Sequence, residues 1–112
     1  MATIVEGTAV NFVTSTPFTS IAGTVINPDL VYFKYSVQGQ TEVTYTWTNP
    51  TGDPTAHITN PSTGNFSVTL PTDNLAGIWA WGWSCAPSSG TDVTKTQVVW
   101  ESQFTVSQRA LP

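Results

Sequence analysis

The sequence carries little charge. Three Lys or Arg and seven Asp or Glu in 112 residues amount to 9% of the chain, with a formal net charge of −4, where soluble domains typically carry about 25%. Three scattered cations cannot neutralise a run of phosphates, so no nucleic-acid footprint is expected. The same shortage argues against an anionic membrane surface as partner, and no apolar run approaches the roughly 18 residues of a membrane span. A single cysteine, Cys85, leaves no intrachain disulfide. The opening MATIVEG has neither a basic n-region nor an apolar run, so no signal peptide is expected. Folding in a reducing cytoplasm is the expectation that follows.

What replaces charge is hydroxyl and aromatic. Twenty threonines and 13 aromatic residues stand in the chain, and β-branched threonine suits the half-wet face of a pleated strand. Hydrophobic residues alternate with polar ones and no segment holds a helical period, which points to an all-β fold. TAVNFVT (8–14) sets Val10 and Phe12 on one face, and STPFTSIAGTVINPD reads as a loop with room for a short edge strand. LVYFKYSV (30–37) is the strongest strand, with Val31, Phe33, Tyr35 and Val37 opposite Tyr32, Lys34 and Ser36. EVTYTW (42–47) groups Val43, Tyr45 and Trp47, and NFSVTL (65–70) groups Phe66, Val68 and Leu70. QVVWESQFTV (97–106) sets Val98, Trp100, Phe104 and Val106 against Val99, Glu101, Gln103 and Thr105. TNPTG (48–52) and TNPSTG (59–64) both read as tight turns around the short segment AHIT.

The stretch GIWAWGWSC (77–85) places an indole at every second position. Trp79, Trp81 and Trp83 therefore share one strand face, and Ile78, Ala80, Gly82 and Ser84 the other. Turned outward, the indoles would leave only Ala, Gly and Ser to bury. Turned inward, each contributes roughly 1.5–3 kcal/mol of burial, so the indoles are expected inside. The opposite face then bears a shallow patch at Ala80 and Gly82 that another backbone or subunit can approach. The reading is about seven antiparallel strands in an immunoglobulin-like β-sandwich spanning 8–106, with an N-terminal arm (1–7) and a C-terminal tail (107–112). A small Greek-key barrel satisfies the same periodicity. The expected core is Phe33, Tyr35, Trp47, Phe66, Trp79, Trp81, Trp83 and Trp100. Candidate docking residues are Ile4 and Val5 on the arm and Tyr32, Ala80 and Gly82 on the outer face.

Catalytic chemistry is hard to assemble from these residues. His57, the only histidine, has no nucleophile fixed beside it by a recognisable motif and reads as a solvated loop residue. The seven acids are dispersed, mostly in turns, and show no paired-carboxylate pattern. One Cys and one His are too few for a zinc site, which leaves calcium on loop oxygens around Asp53 or Asp92 as the open metal reading. No catalytic residue, no metal and no cofactor are expected.

The combination GTAVNFVT, INPDLVYFKYSV, STGNFSVTLP, GIWAWGWSC and ESQFTV resembles a family of small immunoglobulin-like proteins encoded by tailed bacteriophages, over Gly7 to Val106. Two departures stand out. NPD inverts the family's usual Asp-Pro order, and Gly82 and Ser84 occupy positions where charge is common. The resemblance implies a virion structural protein, a capsid decoration (auxiliary head) protein whose partners are the major capsid protein and neighbouring copies of itself. It would assemble in the host bacterial cytoplasm and end in the virion. A carbohydrate-binding module with Tyr32 as its platform, and a head–tail or tail component, are the competing expectations.

Overall fold

A computed structural model describes residues 2–14, 16–19, 23–86 and 100–108, with backbone alone at Ala2, Trp100 and Glu101. The described residues form eight strands and no helix: β1 (Ala2–Val5), β2 (Val10–Val13), β3 (Leu30–Val37), β4 (Val43–Thr48), β5 (Thr59–Ser62), β6 (Asn65–Leu70), β7 (Gly77–Ala86) and β8 (Trp100–Ser107). They lie in two sheets, a larger one ordered β1-β8-β7-β3-β4 and a smaller one ordered β2-β6-β5. All pairs are antiparallel except β1 with β8, which run parallel. The protein is an all-β, two-sheet sandwich.

The period-2 pattern explains the sandwich. Along β3, Val31, Phe33 and Val37 are buried, and along β6, Phe66, Val68 and Leu70 are buried. Facing rings then lock the layers together. Phe12 of the smaller sheet meets Phe33 at 5.2 Å, Phe104 at 5.8 Å, Trp79 at 6.1 Å and, edge-on, Trp81 at 5.1 Å. Phe66 contacts Trp47 at 4.8 Å and Trp83 at 6.4 Å. Such pairs add about 0.5–1.5 kcal/mol each beyond area burial. Cys85 is buried at the end of the β7 row and behaves as a small apolar residue.

The expected core residues are placed as follows. Trp79 and Trp83 are 0% exposed, and Phe33, Phe66 and Trp47 are buried with them. Tyr35 and Trp81 are partly buried against the same cluster. Trp100 starts β8 directly across from Trp83, and its side chain lies outside the described residues, as do positions 97–99 and the loop before them.

Two segments differ from the sequence expectation. Residues 59–64, read as a turn, are mostly strand: Thr59–Ser62 pairs with β6 as an edge, and only Thr63 and Gly64 turn the chain. Pro61 is compatible because an edge strand can leave one side of its backbone unbonded. Residues 2–5, set apart as an arm, are hydrogen-bonded along β8. Ile4 falls opposite Val106 and packs against the core, which gives this segment an anchor that periodicity over four residues does not reveal. Of the tail assigned to 107–112, Ser107 closes β8 and residues 109–112 lie outside the described residues.

Candidate functional site

The larger sheet buries its aromatic face, so its opposite face is the surface available to a partner. β7 is the central strand of that sheet, and its outward positions are Ile78, Ala80, Gly82, Ser84 and Ala86. Register sets larger side chains on either side of these small ones. Ala80 lies between Ser36 of β3 and Gln103 of β8, Gly82 lies opposite Lys34, and Ser84 lies opposite Tyr32. The result is a trough of about 760 Å³ with a floor of small residues and walls that include Tyr32, Lys34, Glu42 and Gln103. Its volume falls within the range of pockets that hold small ligands, about 300–1,000 Å³.

The trough is close to neutral along its described wall. Lys34 Nζ lies 3.8 Å from Glu42 Oε1, an exposed pair that contributes little to stability but offsets both charges. The remaining polar groups are hydroxyl and amide.

Of the candidate docking residues, Tyr32, Ala80 and Gly82 come together in this trough. Val5 shares the same outer face on β1 and is 54% exposed. Ile4 points the other way and packs, partly buried, against the core. Ser36, Lys34, Glu42 and Gln103 were not singled out from the sequence. Alternation puts Ser36 and Lys34 on the face of Tyr32, which was a usable signal. Gln103 needed the strand order, which alternation does not contain.

A second constellation lies at the β4 edge. The Asp53 carboxylate accepts hydrogen bonds from Thr55 N (2.8 Å), Thr55 Oγ1 (2.6 Å), His57 N (3.0 Å) and Ile58 N (2.8 Å). Burial works to raise its pKa, but the Thr55 hydroxyl and the Ile58, Thr55 and His57 amides outweigh it and hold the carboxyl below its ordinary value. Both oxygens are thereby committed to the loop, which explains why residues 56–58 follow a tight path before β5 begins at Thr59. Asp92, the other calcium candidate, lies outside the described residues. Among the described residues no group of three or more His, Cys, Asp or Glu is gathered.

His57 lies in a loop, as expected, and is half-buried. Its ring stacks on Tyr45 at 3.9 Å and 8°, and Nδ1 lies 2.8 Å from Thr55 Oγ1. The Tyr45 phenol is pushed up to about 12, first by burial, then by its hydrogen bond to Tyr35 and by the nearby Tyr35 and Asp53 groups. It stays neutral through the physiological range.

Acid should release this loop. A carboxyl whose folded pKa is depressed stabilises the fold above its unfolded pKa, and that contribution is lost as pH falls through the folded value. We expect the Ile58 and His57 amides to lose protection, measured against their intrinsic exchange rates, below about pH 4, and Asp53→Asn to show the lower protection already at neutral pH. An acid-insensitive Ile58 amide in the native chain would refute this account of the loop.

In comparisons with known proteins, no family model matches the chain and no curated protein matches it.

Proposed function

We propose that this chain is a bacteriophage virion structural protein, a capsid decoration protein that docks on the major capsid shell through the outer face of its larger sheet. The observation that carries the reading is the trough over β7. A central strand bearing Ala80, Gly82 and Ser84 lets a partner's main chain approach the sheet closely, and the flanking hydroxyl and amide groups offer hydrogen bonds without unpaired charge. Repetition over a symmetric shell makes weak individual contacts sufficient. The strand order supports the immunoglobulin-like version of the sandwich: β2-β6-β5 corresponds to strands B, E and D, and β8-β7-β3-β4 to G, F, C and C′. On this reading the protein is not an enzyme, needs no cofactor, and ends in the virion after assembly in the bacterial cytoplasm.

A second reading has its own observation. Tyr32 stands on the wall of a concave trough rich in hydroxyl groups, an arrangement suited to a neutral glycan, which would make the chain an adhesion module on the particle. A head–tail component is the third.

Copy number separates them. Quantitative mass spectrometry of purified virions should find the chain in numbers comparable to the capsid protein, and Ala80→Gln, which fills the trough floor, should cut incorporation at least tenfold while leaving the fold intact. About six or twelve copies per particle, the symmetry of a connector ring, would assign it to the head–tail junction instead. Glycan-array binding abolished by Tyr32→Ala, with full incorporation of the Ala80 variant, would favour the adhesion module.

A further inference from the structure

The smaller sheet ends at β2, and among the described residues no strand pairs with its outer edge. The Thr14 amide donates to the Phe66 carbonyl at 3.1 Å, which fixes the phase of the ladder. Val10, Phe12 and Thr14 turn their main-chain groups toward β6, and Ala9, Asn11 and Val13 turn theirs away. Edges of this kind are normally guarded by charge, proline, a bulge or a covering segment. The opposite edge of the same sheet is guarded twice, by Pro61 and by a register shift in β5. From Thr8 to Thr14 the chain has no charged residue and no proline, and Val13 is left 48% exposed.

We propose that β2 pairs edge to edge with β2 of a second copy of this chain, antiparallel, about a twofold axis at Asn11. The strand is its own complement in that register. Asn11 faces Asn11 and Ala9 faces Val13, so outward amides meet outward carbonyls in about six main-chain hydrogen bonds. On the core side, Val10 of one copy comes opposite Phe12 of the other in the closely spaced pairs, giving the partly buried Val10 an apolar neighbour. On the outer side, Val13 meets Ala9. No charge opposes a charge anywhere along the seam, which makes a second copy a better occupant than a charged peptide. Two smaller sheets thereby become one continuous sheet across the dimer, and the trough on the other sheet of each copy stays free. The inference does not depend on what that trough binds.

Sedimentation velocity of the full chain over a concentration series should show a reversible dimer. Asn11→Cys should then form a disulfide-linked dimer under mild oxidation, because hydrogen-bonded antiparallel partners have Cα atoms about 5.5 Å apart, inside the range a disulfide spans. Cys85 is buried and does not interfere. Val13→Lys and Asn11→Pro should each raise the dimer dissociation constant at least tenfold with an unchanged far-ultraviolet circular dichroism spectrum. The proline removes an amide that points away from β6, so it spares the chain's own ladder. Should Asn11→Pro fail to fold, Val13→Lys decides. A native chain that is monomeric at the highest concentration reached, an Asn11→Cys variant that does not cross-link, or a Val13→Lys variant that dimerises as before would each overturn the proposal. Loss of shell binding with the dimer intact would count against the docking reading alone.

Discussion

Replacing Trp79 by phenylalanine should destabilise the fold by about 2–4 kcal/mol, and the same replacement at Trp83 by less than about 1 kcal/mol. Both indoles are 0% exposed and sit on the same face of β7, so burial alone ranks them equal. Their N–H groups separate them. Trp79 Nε1 donates to the Leu75 carbonyl at 2.8 Å, tying the turn before β7 to the core. Trp83 Nε1 is buried with no hydrogen-bond partner among the described residues. Shrinking either indole to a phenyl ring removes a similar volume, which costs about 1 kcal/mol or somewhat more in lost packing. At Trp79 the change also takes the donor from Leu75, adding roughly 1–3 kcal/mol. At Trp83 it removes a desolvated donor that gains nothing in the fold, returning roughly the same amount. Urea denaturation checks this through the transition midpoint at constant slope. Equal losses at the two sites would mean that the Trp83 N–H is satisfied after all, and that the core does not distinguish its indoles by their polar edges.

The inward orientation of these indoles was legible from seven consecutive residues, because side-chain parity along a strand is a local property. The same locality limits what else could be read. Alternation assigns a face to Tyr32, to Ala80 and to Gln103 separately, but it does not say that β3 and β8 flank β7. The trough is a property of that order, and so its walls were only half visible. Residues 59–62 show a different limit. Asn-Pro followed by Gly is turn chemistry, and TNPTG at 48–52 does turn, with Thr48 and Gly52 hydrogen-bonded to each other. TNPSTG has one more residue and an adjacent strand waiting in NFSVTL, so pairing with β6 extends back through Pro61 and the turn contracts to its last two residues. The stacking of His57 was not legible because its partner, Tyr45, is twelve residues away on β4 and its backbone is held by Asp53. Neither relation leaves a periodic trace. The side that Ile4 takes was not legible for want of length: in a four-residue strand, which side faces the core is decided by the register with β8.

Gly64→Ala should cost about 2–4 kcal/mol, more than the same substitution at Gly23, Gly39, Gly52 or Gly77. Gly64 closes the β5–β6 hairpin with φ near +78°, where a side chain is strained by roughly 1 kcal/mol or more whatever surrounds it. Its surroundings are also occupied. A Cβ there would lie 2.7 Å from Val25 Cγ1, 3.0 Å from the Phe18 carbonyl oxygen and 3.1 Å from Pro17 Cβ. The backbone oxygen cannot yield easily, because Gly64 O itself accepts the Phe18 amide at 2.9 Å and Gly64 N donates to Asn27 Oδ1 at 2.8 Å. Asn27 in turn is bonded to Asn60, so the turn, Asn27 and β5 are fastened at one point. Gly39 is the matched control: its φ is +82° but nothing lies within 4 Å of its added Cβ. Gly39→Ala should therefore report the dihedral strain alone, about 1 kcal/mol, and the difference between the two variants measures the crowding at Gly64. Thermal or urea unfolding of the pair gives both numbers. If the two losses coincide, Pro17, Phe18 and Val25 yield freely, and their close packing over the hairpin is not what fixes it.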